Sequence, residues 1–229
     1  MLVELGTSAL GLGLVLGARH ALEPDHLAAV TTLAAERRGP WAGLALGSWW
    51  GLGHALSLGV VAGTLAALGL EMPASVATWL ETAVGVMVVL LGLRAVWLSL
   101  REGREGASAW HAHGGSRHRH PAKGEHLHLS RWTLATRPLL VGLAHGLAGS
   151  GALTALVLAE LPGTQARLGY VLAFGLGSVG GMAALSGLAG APLHWLRRVP
   201  QVGAALLCVA GLVSVTVGAL WVAAGVAQL

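Results

Sequence analysis

Long apolar runs separated by short polar stretches make up most of the chain. A helix that crosses a bilayer needs about 20 predominantly apolar residues, and six of the runs are that long. We predict membrane-spanning helices at residues 5–33, 41–69, 75–98, 138–160, 166–190 and 201–226. The pattern indicates an all-α integral membrane protein with six transmembrane helices in a lipid bilayer.

Composition agrees with a membrane location. Of the 229 residues, 55% are hydrophobic and only 10% are charged, whereas soluble domains carry about 25% charged residues. The net charge is +4, but the basic residues lie mostly in loops between apolar runs, so we predict no nucleic-acid partner.

The single cysteine, Cys208, excludes an internal disulfide. No basic residue precedes Glu4, and we therefore expect no cleaved signal peptide.

The loop charges predict the orientation. The predicted loops on one side contain a single basic residue, Arg167. Those on the other side contain eleven: Arg37, Arg38, Arg101, Arg104, Arg117, Arg119, Lys123, Arg131, Arg137, Arg197 and Arg198. Because positive loops stay in the cytoplasm, we expect both termini outside a prokaryotic inner membrane and the 101–132 loop inside.

The two halves of the chain resemble each other. Residues 17–22 are similar to residues 142–147 at an offset of 125, and residues 51–54 are similar to 175–178 at an offset of 124. These matches predict a duplicated three-helix unit. Since each unit has an odd number of spans, the second is inverted in the membrane, an arrangement that places substrate sites at the interface of the repeats.

The repeat divides the chain into three parts. Residues 1–100 form the first three-helix repeat, and residues 133–229 form the second. Between them, 101–132 is a polar loop rich in histidine. We predict that the loop histidines bind metal weakly as an auxiliary site, although a disordered linker with chance histidines remains an alternative. These histidines are His111, His113, His118, His120, His126 and His128.

A polar cluster from Arg19 to His26 interrupts the first apolar run. A charged group at membrane depth costs roughly 2.5–3.5 kcal/mol on insertion scales, so a function is expected. Two imidazoles and a carboxylate are good ligands for a divalent transition metal. On a straight helix His20 and His26 would lie about 240° apart. Pro24 breaks the helix, which predicts that both rings and Asp25 turn toward one ion.

Two further histidines lie in other spans. His54 follows Gly51 and Gly53, which allow close helix contact, and His145 corresponds to His20 in the second repeat. Each could instead form a packing hydrogen bond between helices. The predicted metal ligands are His20, Asp25, His26, His54 and His145.

The second repeat has lost most of these ligands. Ser150, Gly151 and Ser178 stand where the first repeat has Asp25, His26 and His54. We therefore expect one asymmetric metal site, to which His145 contributes less than the other histidines. We expect Glu23 to orient a ligand or accept a proton rather than bind the metal.

The stretch from His20 to His26 closely resembles the His-x4-Asp-His signature of the nickel/cobalt transporter family. Leu52-Gly53-His54 resembles the second motif of that family, and residues 146–151 are similar to the short urease-associated nickel permease branch. The resemblance implies that His20, Asp25, His26 and His54 select and carry the metal. Position 23 is a glutamate where aspartate is common, which leaves the preference for Ni²⁺ or Co²⁺ open.

The expected function is that of a secondary permease for Ni²⁺, with Co²⁺ as a second candidate, working in uptake. No ATP-binding Gly-x4-Gly-Lys-Ser/Thr motif is present. The ion is cargo, and we expect neither a cofactor nor an enzymatic activity. Two alternatives are a nickel/cobalt efflux protein of the same superfamily, suggested by the histidine-rich loop, and a membrane metalloenzyme with a histidine-bound metal. The oligomeric state is left open.

Overall fold

A computed structural model describes residues 2–35, 40–105, 111–113, 116–118, 131–148, 160–161, 163–196 and 200–229. The described chain contains seven helices and one small hairpin. The elements are α1 (Leu2–His20), α2 (Pro24–Ala35), α3 (Pro40–Leu68), α4 (Ala74–Glu105), β1 (His111–His113), β2 (Ser116–His118), α5 (Arg131–Ala148), α6 (Gly163–Leu196) and α7 (Pro200–Val226).

Four of the described helices are long and apolar enough to cross a membrane. They are Trp41–Leu68, Ala74–Arg101, Gly163–Gly190 and Gln201–Val226. These helices match four of the predicted spans, so the chain is a multi-pass membrane protein whose described spans are helical. The first predicted span is divided between α1 and α2. Of the fourth, residues 149–159 lie outside the described residues.

The first span breaks where the sequence predicts. Helix α1 ends at His20, and α2 begins at Pro24, because proline suits the first position of a helix, where no N–H bond is needed. In the break, the backbone N–H groups of Leu22 and Glu23 donate to the carbonyl oxygens of Arg19 and His20, at 2.9 and 3.0 Å. The break therefore keeps its own hydrogen bonds, as a low-dielectric surrounding requires.

The helices of the two halves alternate in space. The most extensive packing joins α3 to α6, α4 to α7, α1 to α6 and α3 to α5, while the short α2 packs on α7, α6 and α4. Each of the four main pairs takes one helix from before the polar loop and one from after it. The core between them includes Ala29, Val30, Trp50 and Met182.

Glycines allow helices to touch through their backbones beside the polar cluster. A Cβ added at Gly53 would collide with the carbonyl oxygen of Leu139, and one added at Gly51 would lie 2.8 Å from Cα of Val179. The predicted close approach of other helices to α3 is therefore present. It brings α5 and α6 against opposite sides of the turn that carries His54.

The polar loop contains a hairpin that the sequence reasoning did not predict. Strands β1 and β2 pair antiparallel, with His111 opposite His118 and His113 opposite Ser116. The sequence between the strands is Gly-Gly, a dipeptide favoured in two-residue hairpin loops. The other predicted loop histidines, His120, His126 and His128, lie outside the described residues.

Candidate metal centre

The structure brings all five predicted ligands to one buried place. His20 ends α1, and Asp25 and His26 lie in the first turn of α2. His54 lies in the middle of α3, and His145 lies in the last turn of α5. Their exposed fractions are 2% for His20, 3% for Asp25 and 0% for the other three. Residues from both halves of the chain therefore form a single polar cluster inside an apolar protein.

Asp25 holds two of the imidazole rings. Its Oδ1 lies 3.1 Å from Nδ1 of His26, and its Oδ2 lies 2.7 Å from Nε2 of His145. Both ring nitrogens act as donors to a carboxylate, which leaves the other nitrogen of each ring as an acceptor. The carboxylate also lies in the first turn of α2, where the helix dipole favours negative charge.

A second pair of rings meets on the other side of the cluster. Nε2 of His20 lies 3.2 Å from Nε2 of His54. Imidazole nitrogens bind a metal such as zinc at about 2.0–2.1 Å, so two neighbouring ligands of one ion are roughly 3.0–3.4 Å apart. The spacing of these two nitrogens therefore already fits two ligands of one ion.

Several buried ring nitrogens have no hydrogen-bond partner. Within the described chain these are Nδ1 of His20, Nε2 of His26, Nδ1 of His54 and Nδ1 of His145. A buried polar atom without a partner costs about 1–3 kcal/mol and is rare in folded proteins. Deprotonated imidazole nitrogens are metal ligands, and the cluster has the donor set of a site for a borderline ion such as Ni²⁺, Cu²⁺ or Zn²⁺.

The ligand atoms fall into two overlapping triads. One consists of His20, His26 and His54, and the other consists of Asp25, His26 and His145. Within each triad, one ligand atom per residue lies within 4.8 Å of the others. His26 belongs to both.

Glu23 lies at the edge of the cluster. Its Oε1 is 2.9 Å from Nδ1 of His20, although the angle does not meet that of a hydrogen bond. The side chain is 42% exposed, in contrast to the five buried candidate ligands. Its place beside a ligand is compatible with the predicted orienting role.

Two aromatic residues that the sequence reasoning missed wall the cluster. The ring of Trp50 is centred 5.4 Å from that of His26 and 5.8 Å from that of His145, and the ring of Phe174 is 5.4 Å from that of His20. Both aromatic side chains are fully buried. The internal repeat could have identified these two residues as counterparts, because Trp50 and Phe174 are 124 residues apart, like His54 and Ser178.

The loop histidines belong to a different part of the chain. His111, His113 and His118 lie in β1 and β2, not in the helices that supply the buried cluster. Their predicted role in metal binding stays a prediction.

Comparison with known proteins agrees with this donor set. The NicO family, described as "High-affinity nickel-transport protein", matches residues 6–227. The urease accessory protein UreH of Bacillus sp. (strain TB-90) is 32% identical over 212 residues, which cover 92% of this chain and 89% of that protein. No solved structure matches the chain. The chain belongs to the NicO family of nickel transporters.

Proposed function

We propose that the protein is a permease that carries Ni²⁺ into the cell through the buried cluster, with Co²⁺ as a second substrate. The observation that carries the proposal is the set of five buried candidate ligands, four of whose ring nitrogens have no hydrogen-bond partner among the described residues. Family membership supplies the substrate class, because the family is one of nickel transporters.

The donor set supports nickel or cobalt over softer metals. Thiolate ligands select Cu(I) and zinc, whereas imidazole suits nickel as well. The protein's only cysteine, Cys208, lies in α7 and is in neither of the two triads. A divalent ion held by one carboxylate and four neutral imidazoles keeps a net charge of about +1. Because its charge is only partly neutralised, binding is not too strong for an ion that must also be released.

The membrane potential supports uptake. Moving one charge across 100 mV is worth about 2.3 kcal/mol, so a divalent cation gains about 4.6 kcal/mol by entering a cell that is 100 mV negative inside. Uptake then needs no further coupling. Export would have to be driven by another gradient.

We also propose that the chain is an inverted repeat of two three-helix units, as its sequence offsets suggest. Gly17 packs on the carbonyl group of Phe174, and Gly142 packs on that of Trp50. Gly17 and Gly142 correspond at the repeat offset, and so do Trp50 and Phe174. Exchanging each residue for its counterpart turns the first contact into the second, which is what a two-fold relation requires.

Helices α4 and α7 support the same relation. Gly85 faces Gly218, and Gly92 faces Gly211. Gly211 and Gly218 follow Gly85 and Gly92 by 126 residues each, so the exchange converts one glycine pair into the other. In this arrangement α1 and α2 form one broken span, and α5 begins the fourth span.

Orientation completes the proposal. The loop charges favour both termini outside a prokaryotic inner membrane and the 101–132 segment in the cytoplasm. The alternative function, that of a membrane metalloenzyme, is less well supported, because the matching family is one of transporters.

The experiment is uptake of radioactive nickel by liposomes that contain the purified full chain. A potassium gradient with valinomycin sets the potential inside-negative or inside-positive. We expect faster uptake when the inside is negative, and none by His26→Ala. Gly59→Ala is the matched control, since an added Cβ there meets nothing within 4 Å. Equal nickel entry with the parent protein and with empty liposomes would refute the proposal.

A further inference from the structure

The cluster contains more ligands than one ion can contact at once. We propose that Ni²⁺ occupies two positions in succession, one between His20, His26 and His54 and one between Asp25, His26 and His145, and that His26 binds the ion in both. The inference rests on the proposed function, because it concerns the path of the same ion.

The distances between the candidate ligand atoms favour two separate positions for the ion. An ion bound at about 2.0–2.1 Å needs ligand atoms no more than about 4.2 Å apart. In the described chain, the ligand atoms that lie within 4.8 Å of one another form two groups of three, not one group of five. Only a small adjustment closes a group of three around an ion. A group of five would require larger movements of the helices that carry the ligands.

His26 stands between the other histidines. Its ring is centred 4.3 Å from the ring of His20 and 4.3 Å from that of His145. His54 and His145, which belong to different triads, have ring centres 6.2 Å apart. An ion can therefore exchange His20 and His54 for Asp25 and His145 while it passes from one nitrogen of the His26 ring to the other.

The hydrogen bonds decide which nitrogen of each ring can bind the ion. Asp25 accepts from Nδ1 of His26 and Nε2 of His145, so the lone pairs of these rings lie on the opposite nitrogens. Those nitrogens, Nε2 of His26 and Nδ1 of His145, are buried and have no partner among the described residues. At the first position His26 can bind the ion through Nε2 while its N–H group stays on Asp25. At the second position the ligand nitrogens are the two that face Asp25, so the proton of each ring moves to the opposite nitrogen, which has no partner among the described residues.

The two positions differ in charge. The first offers three neutral imidazoles, and the second offers two imidazoles and a carboxylate. Since they share a ligand and lie only a few ångströms apart, two divalent cations would repel each other strongly. The protein should therefore hold one ion at a time, and the carboxylate attracts it from the first position to the second.

Three single variants of the full chain test the inference. His54→Ala removes only the first position, His145→Ala removes only the second, and His26→Ala removes both. We would measure binding of nickel to purified protein by equilibrium dialysis, and uptake in liposomes. The parent, His54→Ala and His145→Ala should each bind one ion, and His26→Ala should bind roughly 100-fold more weakly. Uptake by all three variants should fall by roughly tenfold or more.

X-ray absorption of the bound nickel gives an independent readout. The ion in His145→Ala should have imidazole ligands from three histidines, and the ion in His54→Ala should have two imidazoles and a carboxylate. His54→Gln and His145→Gln, with thermal unfolding followed by tryptophan fluorescence, replace any alanine variant that does not fold.

Two results would overturn the inference. One is that folded His54 and His145 variants lose nickel binding as completely as His26→Ala, which would indicate a single shared site. The other is two ions bound at once by the parent. If the parent neither binds nor transports nickel, the proposed function fails as well, so the two failures are distinguishable.

Discussion

Nε2 of His145 lies 2.7 Å from Oδ2 of Asp25, although 120 residues separate the two in sequence. The contact joins the last turn of α5 to the first turn of α2, and both side chains are buried. The repeat alignment suggested that His145 contributes less than the other histidines, because its own half has lost the remaining ligands. The structure instead gives His145 the shortest contact of the cluster.

We therefore expect His145→Ala to lower nickel uptake by roughly tenfold or more, since removing the partner of a buried carboxylate costs about 1–3 kcal/mol and 1.4 kcal/mol corresponds to tenfold. Uptake in liposomes at matched protein measures the effect. Ser178→Ala is the control, because Ser178 is buried at the position that the repeat aligns with His54 and its hydroxyl has no partner among the described residues. Equal uptake by both variants would contradict this expectation.

The close contact between α3 and α5 at Gly53 should affect nickel uptake as much as a metal ligand does. A Cβ at this position would collide with the carbonyl oxygen of Leu139 and push α5 away from α3, which separates His145 from His54. We expect Gly53→Ala to reduce uptake by about tenfold and to lower the unfolding temperature. Gly59→Ala, in the same helix with open space around it, should leave both unchanged. A Gly53→Ala protein with parental uptake would show that the contact is dispensable.

The histidine-rich segment should not be required for transport. The candidate ligands of the buried cluster come from α1, α2, α3 and α5, and residues 108–128 contribute none of them. Deleting 108–128 should leave uptake measurable while changing its dependence on nickel concentration, because exchangeable loop ligands would be lost. Complete loss of uptake by a deletion variant that remains folded and inserted would assign the segment an essential role.

The charge distribution predicts the position of the C-terminus. A reporter that is active only in the cytoplasm, fused after Leu229, should give no signal, because the basic loops lie on the other side of the membrane. The same reporter placed within 101–132 should be active and serves as the matched control. A strong signal from the fusion at Leu229 would exclude the proposed six-span orientation.

The helices and the members of the cluster are predictable from local features. Charged and imidazole groups inside an apolar run are costly, so His20, Asp25 and His26 are recognisable without coordinates. The break at Pro24 is predictable for the same kind of reason, since proline removes a backbone donor. These predictions depend on one stretch of chain and its surroundings in a bilayer.

The arrangement within the cluster depends on contacts between distant helices. Neither the Asp25–His145 contact nor the sharing of His26 by two triads is visible in residue spacing, because both are set by how α2, α3 and α5 approach one another. The walls formed by Trp50 and Phe174 are hidden for a different reason. An aromatic residue in an apolar run has no local feature that distinguishes lipid contact from burial.

The alternation of helices from the two halves has a consequence for biogenesis. In the described chain, the main contacts of α1, α3 and α4 are all with α5, α6 or α7. In a nascent chain that has not yet reached α5, these first helices lack the surfaces that they pack against in the finished protein. Assembly must therefore wait for the second half, and a nascent chain truncated before α5 should be a substrate for membrane quality-control proteases.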